Sequence, residues 1–189
     1  MRPAKVSEQD LIEKLLGVFR VHGYDGASLS LLSEATGLKR ASLYHRFPGG
    51  KDEMLQAVAD HVDGWFGTRI FEPLAGPGTP PERVRAVVDS LAGFYCDGRL
   101  PCVLDTLSLG GDESPAKARI RASWEAFQQA LAGPAKEAGC GEKEANRRAE
   151  DALIGLQGAL ILARVTGNPA PFRRVLDGWP ALLTSTPAE

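Results

Sequence analysis

Between residues 39 and 51 the sequence carries four cations, Lys39, Arg40, Arg46 and Lys51, and no carboxylate. Ser42, Tyr44 and His45 lie among them. Cationic, hydroxyl and imidazole donors crowded into one short stretch suit hydrogen bonding to phosphate oxygens and to the edges of bases. The whole chain has 22 Lys and Arg against 24 Asp and Glu, a net charge of -2. The basic character is therefore local to one surface. No other stretch offers a rival chemistry. There is no Gly-rich phosphate loop and no nucleophile elbow, and the three histidines (His22, His45, His61) are scattered. The sequence thus supplies no catalytic residue, no metal site and no cofactor site.

The elements that must hold these donors can be read on either side. Leu29, Leu32 and Ser33 fit the inward face of a short helix, and Gly37 sits where a sharp turn needs a residue tolerant of positive φ. Leu43 and Phe47 lie one turn apart and share a face of the next helix. Pro48-Gly49-Gly50 ends that helix, and Lys51 opens another. A short cationic helix closing a helix-turn-helix fits the major groove of DNA. The plainer alternative is the solvated face of an ordinary helical hairpin. Upstream, Ser7 can cap a helix with Asp10 in its first turn, and Leu11, Ile12, Leu15, Leu16 and Phe19 form one apolar stripe before Gly23 stops it. That stripe is expected to pack on Leu32, Leu43 and Phe47, closing a three-helix domain over residues 1–51.

These residues resemble the DNA-binding domain of the TetR family of bacterial transcriptional regulators. Gly23-Tyr24-Asp25-Gly26-Ala27-Ser28 is similar to the family's approach to its second helix. Leu43-Tyr44-His45-Arg46-Phe47-Pro48 is similar to its recognition-helix signature, and Lys51-Asp52-Glu53-Met54 to its fourth-helix start. The extra glycine in Pro48-Gly49-Gly50-Lys51 resembles the LmrA/YxaF-like branch. Ser33 stands where the family usually has alanine, and Arg46 where it usually has histidine or tyrosine. The resemblance implies a ligand-responsive regulator, most often a repressor, that binds a near-palindromic double-stranded operator as a homodimer. On this reading Ser28, Lys39, Arg40, Ser42, Tyr44, His45 and Lys51 contact DNA. Lys39 and Arg40 reach base edges, Tyr44, His45 and Lys51 position the backbone, and Ser28 holds a phosphate while capping its helix.

Residues 52–189 read as a larger helical domain for effector binding and dimerisation. No strand-like alternation or internal repeat appears, so the chain is expected to be all-α with about nine helices. A helix from Asp52 to about Phe71 touches both bodies, and Pro73 with Gly76-Pro77-Gly78-Thr79-Pro80-Pro81 breaks the pattern into a loop. Helices follow from Pro81 to about Asp97, from Pro101 to Leu109, from Ser114 to about Ala138, from Glu142 to Val165 and from Pro171 to Leu183. Gly110-Gly111-Asp112-Glu113 matches the core of a cyclic-dinucleotide cyclase signature, but Ser114 follows and no strands surround it, so it reads as a loop.

Aromatic and leucine positions on five of these helices are expected to converge on an effector: Trp65, Phe66, Phe71, Phe94, Tyr95, Leu107, Trp124, Phe127 and Leu160. Cys102, Thr106, Gln128 and Gln157 are the polar groups that would orient it. Such residues at helical spacing also serve simply as core. With no cluster of cations, the ligand is expected to be a small apolar or aromatic compound. The penultimate helix carries two apolar stripes. Ala149, Leu153, Leu156, Leu160 and Ala163 are assigned to the subunit's own core, and Ala152, Gly155, Ala159, Leu162 and Thr166 to a partner. Gly155, Ala159, Leu162, Phe172, Val175 and Trp179 are the expected dimer contacts.

Composition agrees with a globular chain, 43% hydrophobic and 24% charged over 189 residues. No apolar run reaches membrane-spanning length and no secretory leader opens the sequence, so a cytoplasmic location without membrane contact is expected. Cys96, Cys102 and Cys140 lack paired metal spacing and read as reduced thiols, with redox sensing at Cys96 or Cys102 as the alternative. Two other functions stay open at this point: a helical enzyme or ligand carrier, and a constitutive DNA-binding protein without an effector.

Overall fold

Ser7 opens α1 (Glu8–Gly26), its Oγ accepting a hydrogen bond from the Asp10 amide at 3.1 Å. The computed structural model describes residues 7–108 and 115–186. Residues 1–6, Leu109, the Gly110–Glu113 tetrapeptide, Ser114 and the last three residues lie outside them. The expected α1 stripe, Leu11, Ile12, Leu15, Leu16 and Phe19, is buried. Gly23 leaves the helical conformation at φ 65° and ψ -173°, and one further turn carries the chain to Gly26. Ser28 then caps α2 (Leu29–Thr36), which ends on left-handed Gly37 at φ 70°. The turn is tied internally: Ser33 Oγ donates to the Leu38 carbonyl at 2.5 Å, and buried Thr36 Oγ1 to that of Leu32 at 2.7 Å. Next comes α3 (Arg40–Arg46), then α4 (Lys51–Phe66). Leu32, Leu43 and Phe47 are buried as expected.

The compact unit that these helices build does not stop at residue 51. It takes in α4 as far as Gly64, and also α7 (Val103–Ser108), which packs against α1. The reason lies in the apolar side chains. Met54, Val58 and Val62 on α4 are buried, and so are Val103 and Leu104 on α7. The helix after Pro101, expected in the larger domain, thus belongs to the first unit.

The second unit begins at Trp65. The helix continues from α4 through a π turn (Gly67–Phe71) into α5 (Glu72–Ala75). Phe66, Ile70 and Leu74 are all buried at a spacing of four. In a plain α-helix each such step drifts about 40° around the axis. A π turn is wider, so it slows the drift and keeps the three side chains on one face. Pro73 does not break the run, because it stands just after the π turn, where the ordinary i→i−4 ladder is already interrupted and the Glu72 amide bonds to the Gly67 carbonyl. The loop is shorter than expected, and Thr79 closes it as the N-cap of α6 (Pro80–Phe94). The Glu82 carboxylate accepts from the Thr79 amide at 2.9 Å and from its hydroxyl at 2.7 Å, which holds that carboxyl below the usual range.

Three long helices complete this unit: α8 (Pro115–Glu137), α9 (Glu142–Thr166) and α10 (Ala170–Thr184). α9 packs against α8 and α10, and α10 against α6. Two buried arginines fasten the frame. Arg83 on α6 donates to the Leu74 carbonyl at 2.6 Å and pairs with Glu137 on α8. Arg148 on α9 donates to the Ser185 carbonyl at 2.6 Å, at the C-terminal end of α10. At the end of α6 the backbone turns left-handed for three residues, Cys96 (φ 47°), Asp97 (φ 54°) and Gly98 (φ 84°). Counting α4, the π turn and α5 as one run, the described residues hold nine helical runs and no strand, and the chain is all-α.

Candidate nucleic-acid interface and aromatic cluster

α3 is only seven residues long, and its sides are sharply divided. Leu43 is buried, while Arg40, Ser42, Tyr44, His45 and Arg46 are exposed. Lys39, exposed at the N-cap, makes no side-chain capping bond. A row of donors without a carboxylate therefore faces solvent from one short helix. Arg40 is oriented from α2, its Nη2 lying 2.5 Å from Ser30 Oγ. Ser28 is exposed, and its Oγ accepts from the Leu31 amide at 3.3 Å, which completes its capping role. The extra glycine has a local reason. Gly50 is left-handed at φ 70°, and a Cβ there would stand 3.3 Å from Tyr44 Cε1. The glycine lets the turn pass close beneath the Tyr44 ring.

Lys51 differs from the others. Its ammonium donates to the Tyr24 carbonyl at 2.9 Å and lies 4.1 Å from the centre of the Tyr24 ring. The Tyr24 hydroxyl donates to the Asp52 carboxylate. That bond comes first among the causes that push the Tyr24 phenol up to about 12, followed by burial. Lys51, expected at the DNA backbone, is thus turned inward onto Tyr24. Neither Tyr24 nor Ser30 is marked by the spacing of charges in the sequence.

In the second unit the expected aromatic residues do meet. Trp65 stacks on Phe94 with centroids 4.2 Å apart. Phe66 meets the edges of Phe94 at 6.0 Å and Phe127 at 5.2 Å, and Phe71 lies 6.1 Å from Phe66. Phe127 continues the chain of rings to Trp124 and Trp179, each at 6.4 Å. Tyr95 is buried beside Phe94 at 5.1 Å, and its hydroxyl lies 3.6 Å from Cys102 Sγ. Leu160 is buried and Gln128 half-buried. Gln157 is half-buried, and its Nε2 is buried without a hydrogen-bond partner among the described residues. Thr106 and Leu107, expected among the effector contacts, lie on α7 in the first unit.

The expected partner face is mostly turned inward. Phe172 and Trp179 are 0% and 1% exposed, and Ala159 is buried with them. A Cβ at Gly155 would meet Val175 Cγ1 at 3.2 Å, so these two positions pack α9 on α10 within one subunit. Only Leu162 of the set is exposed, at 52%. The apolar face that α9 turns to solvent lies one step around the helix. It carries Ile154, Ile161, Leu162 and Val165, the last 80% exposed.

An all-α chain with a helix-turn-helix unit, a basic recognition helix and a second, larger helical unit belongs to the class of helix-turn-helix transcription regulators. Residues 11–58 match the family described as bacterial regulatory proteins, tetR family, and residues 80–177 match the C-terminal domain of LmrA/YxaF-like transcriptional regulators. The chain belongs to the TetR family, in its LmrA/YxaF-like branch. It is 21% identical to the regulator LmrA of Bacillus subtilis (strain 168) over 182 residues, 94% of this chain and 96% of that protein. A TetR regulator of Legionella pneumophila shares the fold with a TM-score of 0.78 and 18% identity, over 97% of this chain and all of the other. A cysteine mutant of the regulator CifR, solved with a 26-bp operator, matches with a TM-score of 0.73 and 20% identity, over 96% and 98% of the two chains. The protein is thus a DNA-binding transcriptional regulator. Among the described residues no helix is long and apolar enough to cross a membrane.

Proposed function

We propose that this regulator is a cytoplasmic homodimeric repressor, released from a near-palindromic operator by a small apolar or aromatic effector. The observation that carries the reading is the exposed row of donors on and beside α3, free of carboxylates. Lys39 and Arg40 would read base edges, Ser42, Tyr44 and His45 would complete the groove contacts, and Ser28 would hold a phosphate. Lys51 is withdrawn from that set by its bonds to Tyr24. CifR bound to its operator supports the same use of the fold here. The ring cluster around Phe66 and Phe127 supports an aromatic effector, and the apolar face of α9 supports a two-fold dimer.

The proposed response is a shift of populations. Effector binding favours a form in which α4 tilts and the two recognition helices no longer match successive grooves. Only a ligand with unequal affinity for the two forms can do this, and operator must weaken effector binding by the same factor. Selection of bound fragments from a genomic DNA pool tests the first half. A two-fold-related site with half-sites one helical turn apart, or a multiple of it, is the expected product. Binding without sequence preference would overturn the reading.

A further inference from the structure

Arg40 is the first residue of α3, and Ser30 the second of α2. Both are exposed, and Arg40 Nη2 donates to Ser30 Oγ at 2.5 Å. Stability does not account for this placement. The guanidinium joins the N-terminal ends of two helices, and neither first turn carries an acidic residue. That end of a helix is positive, so a cation there is disfavoured. The partner is a neutral hydroxyl, and the bond fixes the side chain without cancelling its charge. A cation held in this way at the surface is ready for an anionic, acceptor-rich partner.

The chemistry of the base edges narrows the contact. A guanidinium has five N–H donors and no acceptor. Ser30 takes one hydrogen of Nη2, which leaves the other to pair with Nη1 as a two-pronged donor. Guanine answers it with two neighbouring acceptors, N7 and O6, in the major groove. Adenine sets a donor beside its N7, and thymine a methyl beside its O4. The first residues of a recognition helix are those that reach base edges. An arginine held in place beforehand also loses less rotamer freedom on docking.

We propose that Ser30 is a positioning residue for base readout, holding Arg40 ready to meet a guanine in each half-site. The inference rests on the operator reading above and adds to it a second residue and a base.

Selection from a random DNA pool by full-length variants tests it. The wild type should select guanine at one position of each half-site, and Arg40→Ala should lose that preference. Ser30→Ala should weaken the preference at that same position about tenfold, within the range that one bidentate contact discriminates, and leave the other positions unchanged. Ser30→Thr keeps the hydroxyl and should restore it. Ser30 is exposed, so both variants should melt as the wild type does. Undiminished guanine preference in Ser30→Ala, or an equal loss of affinity for every sequence, overturns the inference and leaves the operator reading standing. So does a changed preference at a position that Arg40→Ala leaves alone. A wild type without any sequence preference overturns both.

Discussion

Tyr24 makes three bonds by three different parts of itself. Its hydroxyl goes to Asp52, its carbonyl to Lys51 Nζ, and its ring carries the same ammonium. The phenol is raised from 10.0 to about 12, so its contribution to stability has a definite sign. It is fully present below the unfolded value and is lost as the pH rises through the folded one. Alkaline titration followed by circular dichroism should show a fall in stability across that window, and Tyr24→Phe should flatten it. The phenylalanine would keep the ring and carbonyl for Lys51. At this scale the sequence reveals exposure better than partnership. Leu43 and Phe47 define the inward face of α3, so the outward set of Lys39, Arg40, Ser42, Tyr44 and His45 follows from geometry. The bonds from Arg40 to Ser30 and from Lys51 to Tyr24 join different elements, and no periodicity encodes them.

Among the elements, the end of α6 shows where a glycine is required. Gly98 is left-handed at φ 84°, and a Cβ there would lie 2.9 Å from Phe172 Cβ and Cγ and 3.1 Å from Ala163 Cβ. Gly98→Ala should destabilise the chain by about 2–4 kcal/mol, adding backbone strain to overpacking. Gly93, inside α6, has nothing within 4 Å of its added Cβ. Gly93→Ala should therefore be neutral or stabilising by roughly 0.5–1 kcal/mol. Denaturant midpoints of the two variants check both. Element positions were largely legible, since glycines, prolines and capping serines punctuate apolar stripes. Thr79 reads as loop in the sequence although Glu82 three residues on completes a capping box, and Pro73 misleads because its effect depends on the turn it falls beside. The stripes of α9 were ambiguous for a physical reason. Small residues that permit close approach serve an internal contact as well as an external one, and here Gly155 and Ala159 face inward while Ile161 and Val165 face out.

For the whole molecule, that outward face makes the dimer testable without disturbing the core. Ile161→Asp and Val165→Asp alter exposed side chains, so each subunit should keep its helix content and melting behaviour. Sedimentation should show monomers at micromolar concentration, and operator affinity should fall roughly a hundredfold as the second half-site ceases to add avidity. Dimers that survive both substitutions would place the interface elsewhere. The division of the chain was the least legible level. The unit containing α3 gathers α7 from beyond α6, a long-range assembly that local pattern does not report. The inward turn of Lys51 has its own consequence at this scale. Operator affinity declines with salt by a log–log slope of about 0.9 per phosphate neutralised, because each such contact frees a condensed cation from the duplex. A lysine already satisfied by Tyr24 frees none. Under the proposed binding mode Lys51 then adds nothing to the ionic-strength dependence of operator binding, although it is one of the four cations between residues 39 and 51.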